Sequence, residues 1–215
     1  MKKLALVTAV GAGLALSGCA SAPVEMTTRG AQSPLSEQQI VPATLPVEVV
    51  SVDVDVPRSL KVSEANRFLP GGDIVWRGDP PGDRYKQVQA IFETAMREGA
   101  DAIEGDGVPV TLDIEVTRFH ALTEKARYTV GGVHAIQFNM QLRDPETGAP
   151  LGEPHFVKAD FRALGGQAAV RAEQAGLTQK KRITEHLAKV IRTELTSPEG
   201  YHGANLGLIG LLNQI

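Results

Sequence analysis

A single cysteine stands in the 215 residues, at position 19. A chain with one thiol makes no internal disulfide, no zinc ribbon and no Cys-x-x-Cys redox site, so its fold must rest on packing. The apolar run at its start, residues 4–16 behind Lys2 and Lys3, is also too short to span a bilayer. A spanning helix needs about 20 residues, whereas this run has the length of the apolar part of a signal peptide. Nor is there an excess of basic charge: the formal net charge is −3, which gives no electrostatic reason to bind nucleic acid.

Motifs that carry chemistry are missing too. His120, His134, His155, His186 and His202 show no HxxxH or HExxH spacing, so no metal site is expected. His134 and His155 fall on the apolar parity of their strands near the ends, the place of a histidine at a sheet margin with a backbone partner. His120 and Glu124 would meet only if the chain turned helical between them, and a loop is expected there. Asp101, Glu104 and Asp106 cluster beside Gly105 and Gly107, but the alternating ligands and distant glutamate of an EF-hand are absent. The pairs Gly71-Gly72, Gly131-Gly132 and Gly165-Gly166 sit in no phosphate-binding frame and read as turns. No GxSxG elbow follows residue 18, and Lys180-Lys181-Arg182 reads as the solvated face of a helix. No catalytic residue, cofactor or metal ligand is assigned.

What is present begins with Leu16-Ser17-Gly18-Cys19, an aliphatic residue, two small ones and then the cysteine. Small side chains suit a backbone lying extended in a peptidase groove, and a thiol is the nucleophile that makes a thioether. The tetrapeptide resembles the lipobox of bacterial lipoproteins. The resemblance implies cleavage between Gly18 and Cys19, a diacylglycerol on the Cys19 sulfur and a further amide-linked acyl chain. Two or more chains anchor a protein to a membrane in effect permanently. Once acylated, Cys19 is no nucleophile. Removing residues 1–18 takes away Lys2 and Lys3 and no acid, moving the formal charge from −3 to −5. Ala20, not Asp, follows the cysteine, and in bacteria that sort by that position this favours the periplasmic leaflet of the outer membrane over the inner membrane.

Residues 19–46 are rich in Ser, Thr, Pro, Ala and Gln without an apolar period and read as a flexible tether. A domain over residues 47–196 follows. It opens with a strand that places Val50, Val52, Val54 and Val56 on one face, with Ser51, Asp53 and Asp55 on the other. Turn-forming residues then flank the short alternating piece Ile74-Val75-Trp76-Arg77. Asp83 caps a helix whose apolar stripe is Tyr85, Val88, Ile91, Phe92, Ala95 and Met96, with Gly99 at its end. Three alternating strands come next. The first has Val110, Leu112, Ile114 and Val116 inward, the second Ile136, Phe138, Met140 and Leu142. The third has Val157, Ala159, Phe161 and Ala163 inward, opposed by Lys158, Asp160 and Arg162. Residues 167–195 are helical, with a break at Gly176, a new cap at Thr178 and a stripe of Ile183, Leu187, Val190, Ile191 and Leu195. Period two with one polar face means a sheet covered on one side. The expected fold is α+β: a two-layer α/β sandwich, mostly antiparallel, with two helices on one face.

The tail, residues 197–215, is Gly-rich and apolar. Leu208, Leu211, Leu212 and Ile215 would share one helical face, but Gly207 and Gly210 each cost about 0.8–1.0 kcal/mol against alanine. Such a tail needs a surface, either its own domain or a partner.

Two stretches stand out as dense and unusual, residues 69–80 and 119–136. They resemble an uncharacterised family of alphaproteobacterial envelope lipoproteins, a domain of unknown function, over residues 47–195. More loosely, the order of lipobox, tether, strand, helix, meander and helix is similar to that of auxiliary lipoproteins of ABC-type transport systems. Two functions follow as expectations. One is a non-catalytic accessory lipoprotein of an envelope transport complex, held to the membrane by its lipid and to an envelope protein as partner. The other is a periplasmic small-ligand binder or enzyme, with its pocket where the two dense stretches meet.

Overall fold

The computed structural model describes residues 46–206. Cys19, with the expected signal and nearly all of the tether, lies outside them, as do Leu208, Leu211, Leu212 and Ile215.

The sheet is built on β3 (Val108–His120). Its Val110, Leu112, Ile114 and Val116 are exposed by 1% or less, as their alternation requires. β4 (Gly132–Arg143) runs antiparallel to it, and β5 (His155–Lys158) runs antiparallel to β4. On the other side β1 (Val47–Asp55) lies parallel to β3, giving the order β1-β3-β4-β5. Parallel neighbours need a long crossover, and α1 (Arg84–Asp101) supplies it. The two-residue β2 (Ile74–Val75) pairs parallel with Phe119 and His120, and β6 (Phe161–Ala163) pairs with the start of β4. The result is the expected α+β sandwich, with a parallel strand at one edge of a mostly antiparallel sheet.

Helix α1 starts at the expected cap, where the Asp83 carboxylate accepts from the Tyr85 and Lys86 amides. The break at Gly176 has a positive φ of 77° and separates α3 (Gly166–Gln174) from α4 (Gln179–Thr196). Thr178 caps α4 by accepting from the Lys181 amide at 3.2 Å. The stripes of α1 and α4 join the inward residues of the sheet in one core. Phe92 of α1 meets Phe138 edge-on at 5.5 Å, and Trp76 meets Phe119 edge-on at 5.6 Å. Edge-to-face pairs of this kind add about 0.5–1.5 kcal/mol to the area they bury.

Three details depart from the alternating pattern. Val50 is not inward but 52% exposed, because the register with β3 slips between Val49 and Ser51 and leaves it as the bulged residue. Gly99 does not end α1; it lies inside the helix, buried where α4 crosses, and a Cβ there would stand 2.3 Å from Ile191 Cγ2. The third meander strand is broken, since Asp160 turns inward between β5 and β6 and its carboxylate accepts the Ile136 amide at 2.9 Å. That side chain takes the place of a backbone acceptor in the ladder. Further along, β3 runs on to His120 and the short α2 (Glu124–Arg127) opens at Glu124, with the expected loop, residues 121–123, between them.

The first part of the tail lies on the domain. Tyr201 packs against the core with its ring 5.9 Å from that of His186, and Gly203 sits beside the Lys158 carbonyl, where a Cβ would stand 3.1 Å away.

Candidate functional site

The first dense stretch is fixed by the backbone pairing of β2 and, beyond it, by side chains. Trp76, fully buried, donates its indole N–H to Asp79 at 2.8 Å, and Asp79 in turn receives Lys180 of α4 at 2.9 Å. Arg84, 5% exposed at the head of α1, donates to Glu64 at 2.7 Å and to the carbonyls of Asp79 and Pro80. That hydrogen bond holds the Glu64 carboxyl below its usual range. Arg77 pairs with Glu124 of α2, whose carboxyl is raised by burial but brought below its ordinary value by that bond.

The second stretch is tied to the loop before the first. Thr123 caps α2, accepting from the Ala126 amide at 3.2 Å while donating to the Arg67 carbonyl at 2.8 Å. Asn66 accepts the Lys125 amide at 2.9 Å. After α2 the chain turns at Gly131, with φ at 75°, and passes against the corner between β6 and α3.

Between these pieces lies an apolar groove of about 700 Å³. Phe68 and Leu69 form one wall and Leu122, Ala126 and Val130 a second, with the corner residues Ala163, Leu164 and Ala168 completing it. Phe68, Leu69 and Val130 are 48%, 58% and 76% exposed. Contiguous apolar surface of this kind is a candidate place of binding, and its volume falls in the range of small-molecule sites. Among the described residues Arg162 is the one charged residue in its lining, and Lys125 joins the rim with Nζ 4.9 Å from the Phe68 ring centroid. The lining has, among the described residues, no carboxylate, imidazole, hydroxyl or thiol.

The histidines lie elsewhere. His134, 1% exposed, packs its ring 4.8 Å from Phe161, which stacks at 4.0 Å on His186. Burial first, and then the positive charge of Arg182, press the His134 pKa down to about 3. His186 bonds the Ala159 carbonyl at 3.0 Å and is also lowered by burial, to about 4. His120 is lowered to about 4 by burial and by Arg118, whose guanidinium is 3.1 Å from its Nδ1. His155 is exposed with Glu194 at 3.4 Å, and His202 is exposed near Glu199. A backbone partner therefore exists for His186, not for the side chain of His134, whose Nδ1 is unpaired. The cavity beside it is about 10 Å³, room for no more than one water molecule. Among the described residues no three His, Asp, Glu or Cys side chains group as metal ligands.

The structure thus brings the two dense stretches together but joins none of the histidines into a reactive set. Sequence reading missed the third wall, because Gly165-Gly166 read only as a turn. Its signal was the match of two glycine pairs, Gly131-Gly132 and Gly165-Gly166, whose backbones touch.

A family model described as a family of unknown function, DUF6778, matches residues 47–211. Among solved structures, a putative lipoprotein from Caulobacter crescentus CB15 is similar at a TM-score of 0.35 and 14% identity, over 68% of this chain and 88% of that one. No curated protein matches the chain in sequence.

Proposed function

The chain belongs to this family of unknown function, and we propose that it is a lipid-anchored envelope lipoprotein whose domain acts by binding rather than by catalysis. Cys19 carries the lipid, residues 19–46 are the tether, and the periplasmic leaflet of the outer membrane is the site of anchoring. Its role in this reading is that of an accessory component of an envelope transport complex, presenting what the groove holds. The observation that supports binding is the groove itself. It offers about 700 Å³ of apolar space, and among the described residues lining it Arg162 is the one charged group and none is an acid, base or nucleophile that a reaction would use.

Mass spectrometry of the full chain isolated from membranes tests both halves. The intact mass should show acyl groups on an N-terminal Cys19, and an unmodified cysteine there refutes the anchor. Under native conditions the wild type should retain a bound mass that Val130→Asp loses. Equal masses for the two proteins refute the binding role.

A further inference from the structure

The groove's shape and charge narrow the class of ligand. A peptide laid in it would bring an amide N–H and a carbonyl for every residue, each needing a partner, and among the described residues Arg162 is the only polar side chain in the lining. A hydrocarbon chain brings no such demand. The walls suit a narrow chain, since Gly131, Gly165 and Ala168 present almost no side chain. At the rim, Arg162 and Lys125 make no ion pair with any described residue, whereas Arg77, Arg84 and Arg127 nearby all meet carboxylates. Two uncompensated cations beside an apolar slot are the complement of an anionic amphiphile. Of the described part of the tail, Tyr201 lies at His186 and Gly203 beside the Lys158 carbonyl, and neither is among the groove's lining residues.

Resting on the binding role proposed above, we infer that the groove takes one fatty-acyl chain of an anionic amphiphile. The chain lies among Phe68, Leu122, Val130 and Ala168, with the headgroup at Arg162 and Lys125.

The test uses the mature chain, residues 19–215, with Cys19→Ala so that it has no acyl group of its own and needs no detergent. Octanoate, dodecanoate and hexadecanoate are titrated calorimetrically, with dodecanol as the uncharged control. Affinity should rise with length by up to about fourfold per methylene, the equivalent of its burial free energy. Dodecanoate should bind about tenfold tighter than dodecanol, the scale of a charge-assisted hydrogen bond. The double variant Arg162→Gln, Lys125→Gln should remove that preference and keep the length dependence. Val130→Asp should abolish binding at an unchanged unfolding midpoint. Equal binding of acid and alcohol by the wild type overturns the headgroup assignment. If no fatty acid binds while protein from membranes still carries a Val130-dependent mass, the acyl inference is wrong and the binding role stands. Should that mass be another protein or a second copy of the chain, the inference is equally overturned. Absence of both signals overturns the two together.

Discussion

Gly165 packs so closely on Gly131 that a Cβ on Gly165 would stand 2.1 Å from the Gly131 nitrogen. Backbone meets backbone there, and this contact sets the distance between α2 and the corner of β6 and α3. It is what makes the groove one cavity rather than two separate loops.

Gly165→Ala should therefore force the two walls apart. Overpacking of this kind costs about 1–3 kcal/mol, and the same variant should lose whatever the groove binds. Gly152, where an added Cβ would meet nothing within 4 Å and φ is not positive, is the control; Gly152→Ala should stay within about 0.5 kcal/mol. Urea denaturation of both variants measures the difference, and equal midpoints contradict the contact.

The one-sided sheet predicts a sharp contrast between Phe138 and Glu115. Phe138 is fully buried against Phe92, so Phe138→Ala should cost about 3–5 kcal/mol through lost contacts and a cavity. Glu115 lies on the open face and accepts only from Asn139 at 3.0 Å. Glu115→Ala should change stability by about 0.5 kcal/mol or less. Matching unfolding curves are the outcome that rules the arrangement out.

Acid should weaken the fold as the pH falls through the ordinary imidazole range. His134, His186 and His120 have folded pKa values near 3, 4 and 4, all below the ordinary 6.5. Below 6.5 the unfolded chain takes up protons that the folded chain refuses, so stability is complete above that pH and falls as pH drops towards the folded values. Each such group adds a slope of up to about 1.4 kcal/mol per pH unit. The thermal midpoint should drop between pH 7 and pH 5, and His134→Gln should flatten that drop. A midpoint independent of pH over this range, or a slope unchanged in the variant, refutes the buried neutral imidazole.

The strands and helices were legible in the sequence because their burial follows a local period. Val110 to Val116 alternate, the α4 stripe recurs at helical spacing, and Asp83, Thr178 and Gly176 mark ends through side chains or φ angles that act within a few residues. The exceptions all involve a distant partner. Val50 is exposed because β3 imposes a bulge, Gly99 is buried because α4 crosses it, and Asp160 turns inward because the Ile136 amide lacks a backbone acceptor.

The site divides in the same way. By itself the sequence determined the one-sided sheet and the two dense stretches, since each is written in neighbouring residues. Only the tertiary structure decided that these stretches form a groove. It requires contacts across long separations in the chain, Thr123 with Arg67 and Gly131 with Gly165, and a third wall from β6 and α3. The charge at its rim is likewise a property of the fold. Arg127 and Arg162 are alike in composition, yet one meets Glu173 at 3.0 Å while the other lines the groove. Which arginine is neutralised depends on the carboxylates folding brings within a few ångströms, and no local pattern encodes that distance.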